Sequence, residues 1–172
     1  GSLEPLTGRS DLRFDGTTGD LGTGIAQADA LLRGTGTVAL RVIRDESGTR
    51  LDPFDVATQA ARLQGTATLA TGATVADVTA LVKNTALVLP GLSGPTDLTI
   101  SARQRGTGWQ IAAAGSAPGA SQVSVEGTVD GDGRNSLVAD GRLSARIGAL
   151  SAFSRLAGRP LSGTADLTAS GQ

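Results

Sequence analysis

Gln122-Val123-Ser124-Val125-Glu126-Gly127-Thr128-Val129-Asp130 alternates without a break between polar and apolar or small residues. A period of two marks an extended strand, whose successive side chains point to opposite faces, so this strand is dry on one face and wet on the other. The same signal recurs on both sides. Toward the C-terminus, Leu137, Ala139, Gly141, Leu143, Ala145 and Ile147 form an apolar row opposite Asp140, Arg142, Ser144 and Arg146. Toward the N-terminus, Val38, Leu40 and Val42 alternate with Thr37, Ala39 and Arg41.

Short turn signals separate the runs: Asp45 to Gly48, Gly72-Ala73, Gly106 to Gly108, Pro118-Gly119 and Asp130-Gly131-Asp132-Gly133. They are too short for a parallel crossover, so they predict an antiparallel meander of about ten to twelve strands. Helix is scarce. One short helix is expected over 149–157, where Leu150, Phe153, Leu156 and Ala157 fall at helical spacing and Gly158 follows as a stop. A second runs from Asn84, a candidate N-cap, to Pro90-Gly91.

The segments after these two helices are alike. Gly91 to Ala102 reads GLSGPTDLTISA and Pro160 to Gly171 reads PLSGTADLTASG, identical at seven of twelve positions. Pro5 to Gly16, PLTGRSDLRFDG, shares the Leu, Gly, Asp and Leu of both, at offsets of 86 and then 69 residues. This irregular repeat divides one continuous β domain into a remnant or linker over 1–4, a first repeat over 5–90, a second over 91–159 and the start of a third over 160–172. The chain reads as a piece excised from a longer protein, with Gly1-Ser2 left from cloning.

The 172 residues amount to about one domain. Hydrophobic residues make up 39% and aromatics 2%, so the apolar material is mostly Ala, Val, Leu and Ile. A closed barrel or sandwich of this length would ordinarily use bulkier residues to fill its interior, whereas a trough needs only a slick lining. A dozen strands stacked about 4.8 Å apart would extend roughly 55 Å.

The absences exclude chemistry. The chain has no His and no Cys, which removes His-dependent and thiol nucleophiles, the usual zinc ligands, haem ligation through those side chains, and disulfides. Fifteen Lys+Arg against sixteen Asp+Glu, interspersed, argue against nucleic acid. No stretch approaches the roughly 20 apolar residues of a membrane span, and no signal-peptide pattern is present. Asp130 to Asn135 resembles a calcium loop, but Arg134 and Gly141 stand where oxygen ligands are required, so it reads as a hairpin turn. Asp11, Asp97 and Asp166 recur in the repeat, yet each directly precedes an inward-type Leu and belongs to the polar face. Trp109 reads as an anchor on the strand it shares with Ile111, with a ligand contact at a rim as the alternative; no role is read for Lys83. No enzyme, metal or cofactor is expected.

The segment Leu156-Ala157-Gly158-Arg159-Pro160-Leu161-Ser162-Gly163-Thr164-Ala165-Asp166-Leu167, a short Leu-rich helix followed by Leu-Ser-Gly-x-x-Asp-Leu, resembles the TamB family of AsmA-like, repeating β-groove proteins. The resemblance implies a U-shaped, taco-like antiparallel β-groove with an apolar interior and one or two short helices. It also implies a translocation and assembly module of the Gram-negative envelope, in which a periplasm-spanning protein anchored in the inner membrane works with the outer-membrane partner TamA. The roles it implies are conduction of phospholipid between the membranes and assistance to outer-membrane protein assembly and secretion.

An apolar groove offers acyl chains a path that needs no ionisable catalyst, since each buried methylene contributes about 0.8 kcal/mol. The expected lining is Leu12, Phe14, Val38, Leu40, Val42, Phe54 and Val56 in the first half. Leu98, Ile100, Ile111, Val123, Val125, Val129, Leu143 and Leu167 continue it in the second. Two rivals use the same pattern: a docking groove for outer-membrane β-strands, and a structural β-solenoid or adhesin module. Open sheet edges would also allow self-association.

Overall fold

The computed structural model describes residues 2–4, 9–20, 22, 24, 26–130 and 138–171, with the side chains of 3, 4, 138 and 139 excepted. The strands are β1 (Ser2–Glu4), β2 (Arg9–Gly19), β3 (Thr35–Asp45), β4 (Gly48–Ala57), β5 (Ala61–Leu69), β6 (Val75–Val82), β7 (Thr96–Arg105), β8 (Gly108–Ala117), β9 (Ser121–Asp130), β10 (Val138–Ile147) and β11 (Ala165–Gly171). They form one sheet in chain order, every neighbour antiparallel. Among the described residues no ladder joins β1 to β11, so the sheet is an open meander and not a barrel. The expected Asp130 to Asn135 turn and Leu137 fall outside the described residues, Asp130 excepted, as do Pro5 to Gly8.

Turn chemistry explains the meander. The β3–β4 hairpin is held by Asp45, whose carboxylate accepts from the Ser47 amide at 2.9 Å and from the Ser47 hydroxyl. Gly48, Gly72, Gly106 and Gly119 sit at positive φ at the β3–β4, β5–β6, β7–β8 and β8–β9 turns, where a side chain would be strained. Strand β4 changes phase in its middle. Leu51 pairs with Val42 and Phe54 with Leu40, so Asp52 and Pro53 together oppose Arg41. The same two residues oppose Thr66 on β5. This is a β-bulge, the place within a sheet where a proline's missing N–H is tolerated.

Because all strands alternate in direction, every second connection emerges at the same end. The tight hairpins β3–β4 and β7–β8 are at one end. At the other are helix α1 (Ala26–Leu32), the 3₁₀ turn Thr85–Leu87, the turn 118–120, and the 3₁₀ segment Leu150–Phe153 running into helix α2 (Ser154–Ala157). Asn84 caps its turn, its side chain accepting from the Ala86 amide, and Gly158 ends α2 in the left-handed conformation. Helix α1 is additional to the two expected. Its run Ala-Gln-Ala-Asp-Ala-Leu-Leu consists mostly of good helix formers, but at seven residues it shows no amphipathic period.

The repeat has a structural counterpart. Thr85 donates its amide to the Gly94 carbonyl at 2.8 Å, and Leu150 donates to the Gly163 carbonyl at 2.9 Å. In both copies the first residue of a 3₁₀ turn is tied to the motif glycine, which has positive φ. Strand β2, which carries Asp11 and Leu12, runs opposite to β7 and β11, so only the later two copies occupy equivalent places.

Packing is concentrated at this helical end. Leu92 is the one buried hydrophobic side chain among the described residues, and Ser121, at 2% exposure, donates its hydroxyl to the Pro118 carbonyl at 2.8 Å. The chain exposes 11050 Å². A compact protein of its 17.1 kDa mass would expose about 7,800 Å². A single sheet layer without a second layer accounts for the excess.

Candidate functional site

The register sorts the alternating residues into transverse rows. Directly opposed residues share a face, so the ladders can be followed from strand to strand. One row runs Phe14, Leu40, Phe54, Gly65, Val78, Ile100, Ala113, Val125, Leu143, Ala169. A second, one step toward the helical end, runs Gly16, Val38, Val56, Leu63, Ala80, Leu98, Gly115, Val123, Ala145, Leu167. A third, on the other side, begins Leu12, Val42, Leu51, Ala67, Ala76, Ala102, Ile111 and ends in Gly127, Gly141 and Gly171. None of these residues is polar.

All fifteen expected lining residues lie on this face, with Val129 in a further row beside Trp109. Sequence reasoning missed Leu51, Leu63 and Val78 there. Leu51 is hidden by the bulge, which shifts its phase against Phe54. Val78 is hidden because Val75 and Leu81 of the same strand point to the other face beside Asp77 and Thr79, so β6 carries large apolar residues on both sides. Trp109 shares the Ile111 face, half-buried, directly across from Gln104 and Val129.

The face is open. Phe14 is 51% exposed, Leu167 53%, Val125 43%, Leu143 41% and Leu63 39%. Large contiguous apolar patches are uncommon on monomeric proteins. Two glycines bring neighbouring backbone close on this side: a Cβ at Gly65 would collide with the Asp77 carbonyl, and one at Gly115 with the Asp97 carbonyl. Glycine inside a strand commonly marks such an approach or a bend of the sheet.

The opposite face is polar and carries several ion pairs. Asp11 accepts from Arg41 at 2.5 and 2.9 Å, Asp55 from Arg62, Asp77 from Arg103 at 3.5 Å, and Asp166 from Arg146 at 3.0 Å. The Arg41 hydrogen bonds hold Asp11 below the ordinary carboxylate range, and those from Arg62 do the same for Asp55. Asp45 is lowered chiefly by the Ser47 hydroxyl. Asp11, Asp97 and Asp166 all lie on this face, on β2, β7 and β11, and the structure does not bring them together. Among the described residues no cluster of three carboxylates is placed to hold a metal ion.

The two faces of the sheet differ in chemistry. One side offers a strip of hydrocarbon across the sheet and the other a set of exposed ion pairs worth little individually but well hydrated. No family model matches this chain, and neither a curated protein nor a solved structure does.

Proposed function

We propose that the chain is a segment of a hydrophobic β-groove of the TamB type, in which the apolar face binds phospholipid acyl chains and lets them pass along the sheet. The observation that carries this reading is the set of unbroken rows of exposed and half-buried apolar side chains and glycines across ten strands, with Arg44, at one margin, the one charged side chain on that face among the described strand residues. Side chains of similar size present no deep trap, so a bound chain can exchange between equivalent positions. The close backbone approaches at Gly65 and Gly115 favour folding of the sheet toward this face, which would shield a chain from water. In this reading the parent protein is anchored in the inner membrane of a Gram-negative bacterium, spans the periplasm and supports outer-membrane biogenesis with TamA or another barrel-assembly protein.

The test is photocrosslinking from Val123 against its neighbour Ser124, combined with native mass spectrometry and lipid extraction of the purified chain. Phospholipid attached at Val123 and absent at Ser124 is the expected result. A monodisperse protein with lipid at neither position would sink the reading.

A further inference from the structure

Three connections at the helical end together carry cations and no carboxylate, whereas the β2–β3 connection at the same end holds Asp20, Asp29 and Arg33. Residues 83–95, 118–120 and 148–164 contain Lys83, Arg155 and Arg159 and no Asp or Glu. These segments form one continuous rim. Gly91 packs against Arg155 and Leu156, Gly94 against Pro118, and Gly119 against Ala149, Ala152 and Phe153.

Elsewhere seven arginines are held in ion pairs, while Arg33, Arg44, Arg105 and Arg142 have none among the described residues. Arg41, Arg62, Arg103 and Arg146 each hold an aspartate across the polar face, and at the opposite end of the sheet Arg50 and Arg9 hold Asp45 and Glu46. Among the described residues Lys83, Arg155 and Arg159 have no ion-pair partner, and all three are exposed. Beside them Leu87, Leu89 and Leu156 stand 45%, 45% and 42% exposed. Unpaired cations among exposed leucines suit an amphiphile with a negative head. The adjoining face, whose rows reach the rim at Val82 and Ile147, offers the surface for its chains.

We infer that this rim holds the phosphate headgroup of an anionic phospholipid through Lys83, Arg155 and Arg159 while the acyl chains lie on the apolar face; the inference rests on the acyl-chain reading above. Recognition is electrostatic, so it acts on the charge of the head and leaves chain binding to the sheet. A lipid whose phosphate is balanced by choline gains little from three unpaired cations. One whose phosphate is unbalanced gains from all of them.

The experiment compares two lipids with the same chains, dihexanoyl phosphatidylglycerol and dihexanoyl phosphatidylcholine, titrated as monomers onto the whole chain. The unsubstituted protein is expected to bind the anionic lipid about tenfold more tightly at low salt, with the preference shrinking as salt rises. The triple variant Lys83→Gln, Arg155→Gln, Arg159→Gln should bind the two lipids equally, at the unchanged phosphatidylcholine affinity. All three side chains are exposed, so its melting temperature should match the parent's. Equal affinities for the unsubstituted chain would overturn the headgroup assignment and leave the chain-binding reading standing. A preference that persists in the triple variant would overturn it as well. Binding of neither lipid would overturn both.

Discussion

Val125 faces Leu143 directly across the β9–β10 ladder, and the two side chains are 43% and 41% exposed. In an ordinary sheet protein a pair of this kind is covered by a second layer. Here each has hydrocarbon neighbours along its row and water above it. The pair therefore reports on the surface of the face independently of the stability of the fold.

Val125→Asp is expected to abolish lipid co-purification while costing about 1 kcal/mol or less in stability, because the substituted side chain is already in water. A charge in the middle of the row makes an apolar occupant desolvate a carboxylate. The check is lipid extraction and mass spectrometry alongside a denaturant titration. A folded variant that still carries lipid would remove Val125 from the contact surface.

The stability should instead reside in the rim. Leu92 is 5% exposed, packed among the connections at the helical end. Leu92→Ala is expected to cost about 2–4 kcal/mol, against about 1 kcal/mol or less for Leu143→Ala in the middle of the sheet. Urea unfolding of both variants measures the difference. Equal losses would mean that the sheet face is covered in solution.

Glycine substitutions separate the close approaches from open positions. Gly115→Ala and Gly65→Ala each place a methyl group against the carbonyl of the neighbouring strand and should cost about 1–3 kcal/mol. Gly16 lies on the same face with nothing within 4 Å of a built Cβ, so Gly16→Ala should be close to neutral. Thermal melts of the three variants decide; a neutral Gly115→Ala would show that the strands can separate there without loss.

Acid should loosen the polar face. The folded-state pKa values of Asp11, Asp45 and Asp55 are lowered, chiefly by hydrogen bonds from Arg41, Ser47 and Arg62 respectively. A carboxylate whose pKa is depressed by folding stabilises the fold above its unfolded value of about 4 and loses that contribution as pH falls through the lower folded value. Stability should therefore be level from about pH 7 to 5 and decline below about pH 4. Melting temperatures across that range, with Asp55→Asn flattening part of the decline, provide the check. A flat profile down to about pH 2 would contradict it.

Much of the architecture was legible because a period of two is a local property. Gln122 to Asp130 and Val38 to Val42 show their faces without reference to any neighbour, and the intervening turns leave only an antiparallel meander. All fifteen residues read as lining share one face for that reason. Composition added that aromatic residues were too few to fill an interior, in keeping with a chain that buries a single large hydrophobic side chain among its described residues.

Other features depended on partners distant in sequence. The phase of β4 is settled by Arg41 and Thr66, the residues on either side that Asp52 and Pro53 jointly oppose. The face of Val78 is settled by Gly65 and Ile100, because β6 itself carries large apolar residues on both sides. The rim exists only because alternating strand direction carries every second connection to the same end, where Gly91 meets Leu156 and Gly94 meets Pro118. Local alternation determined which residues are dry. Pairing between strands decided how those dry residues align into rows, and which charges are left without a partner beside them.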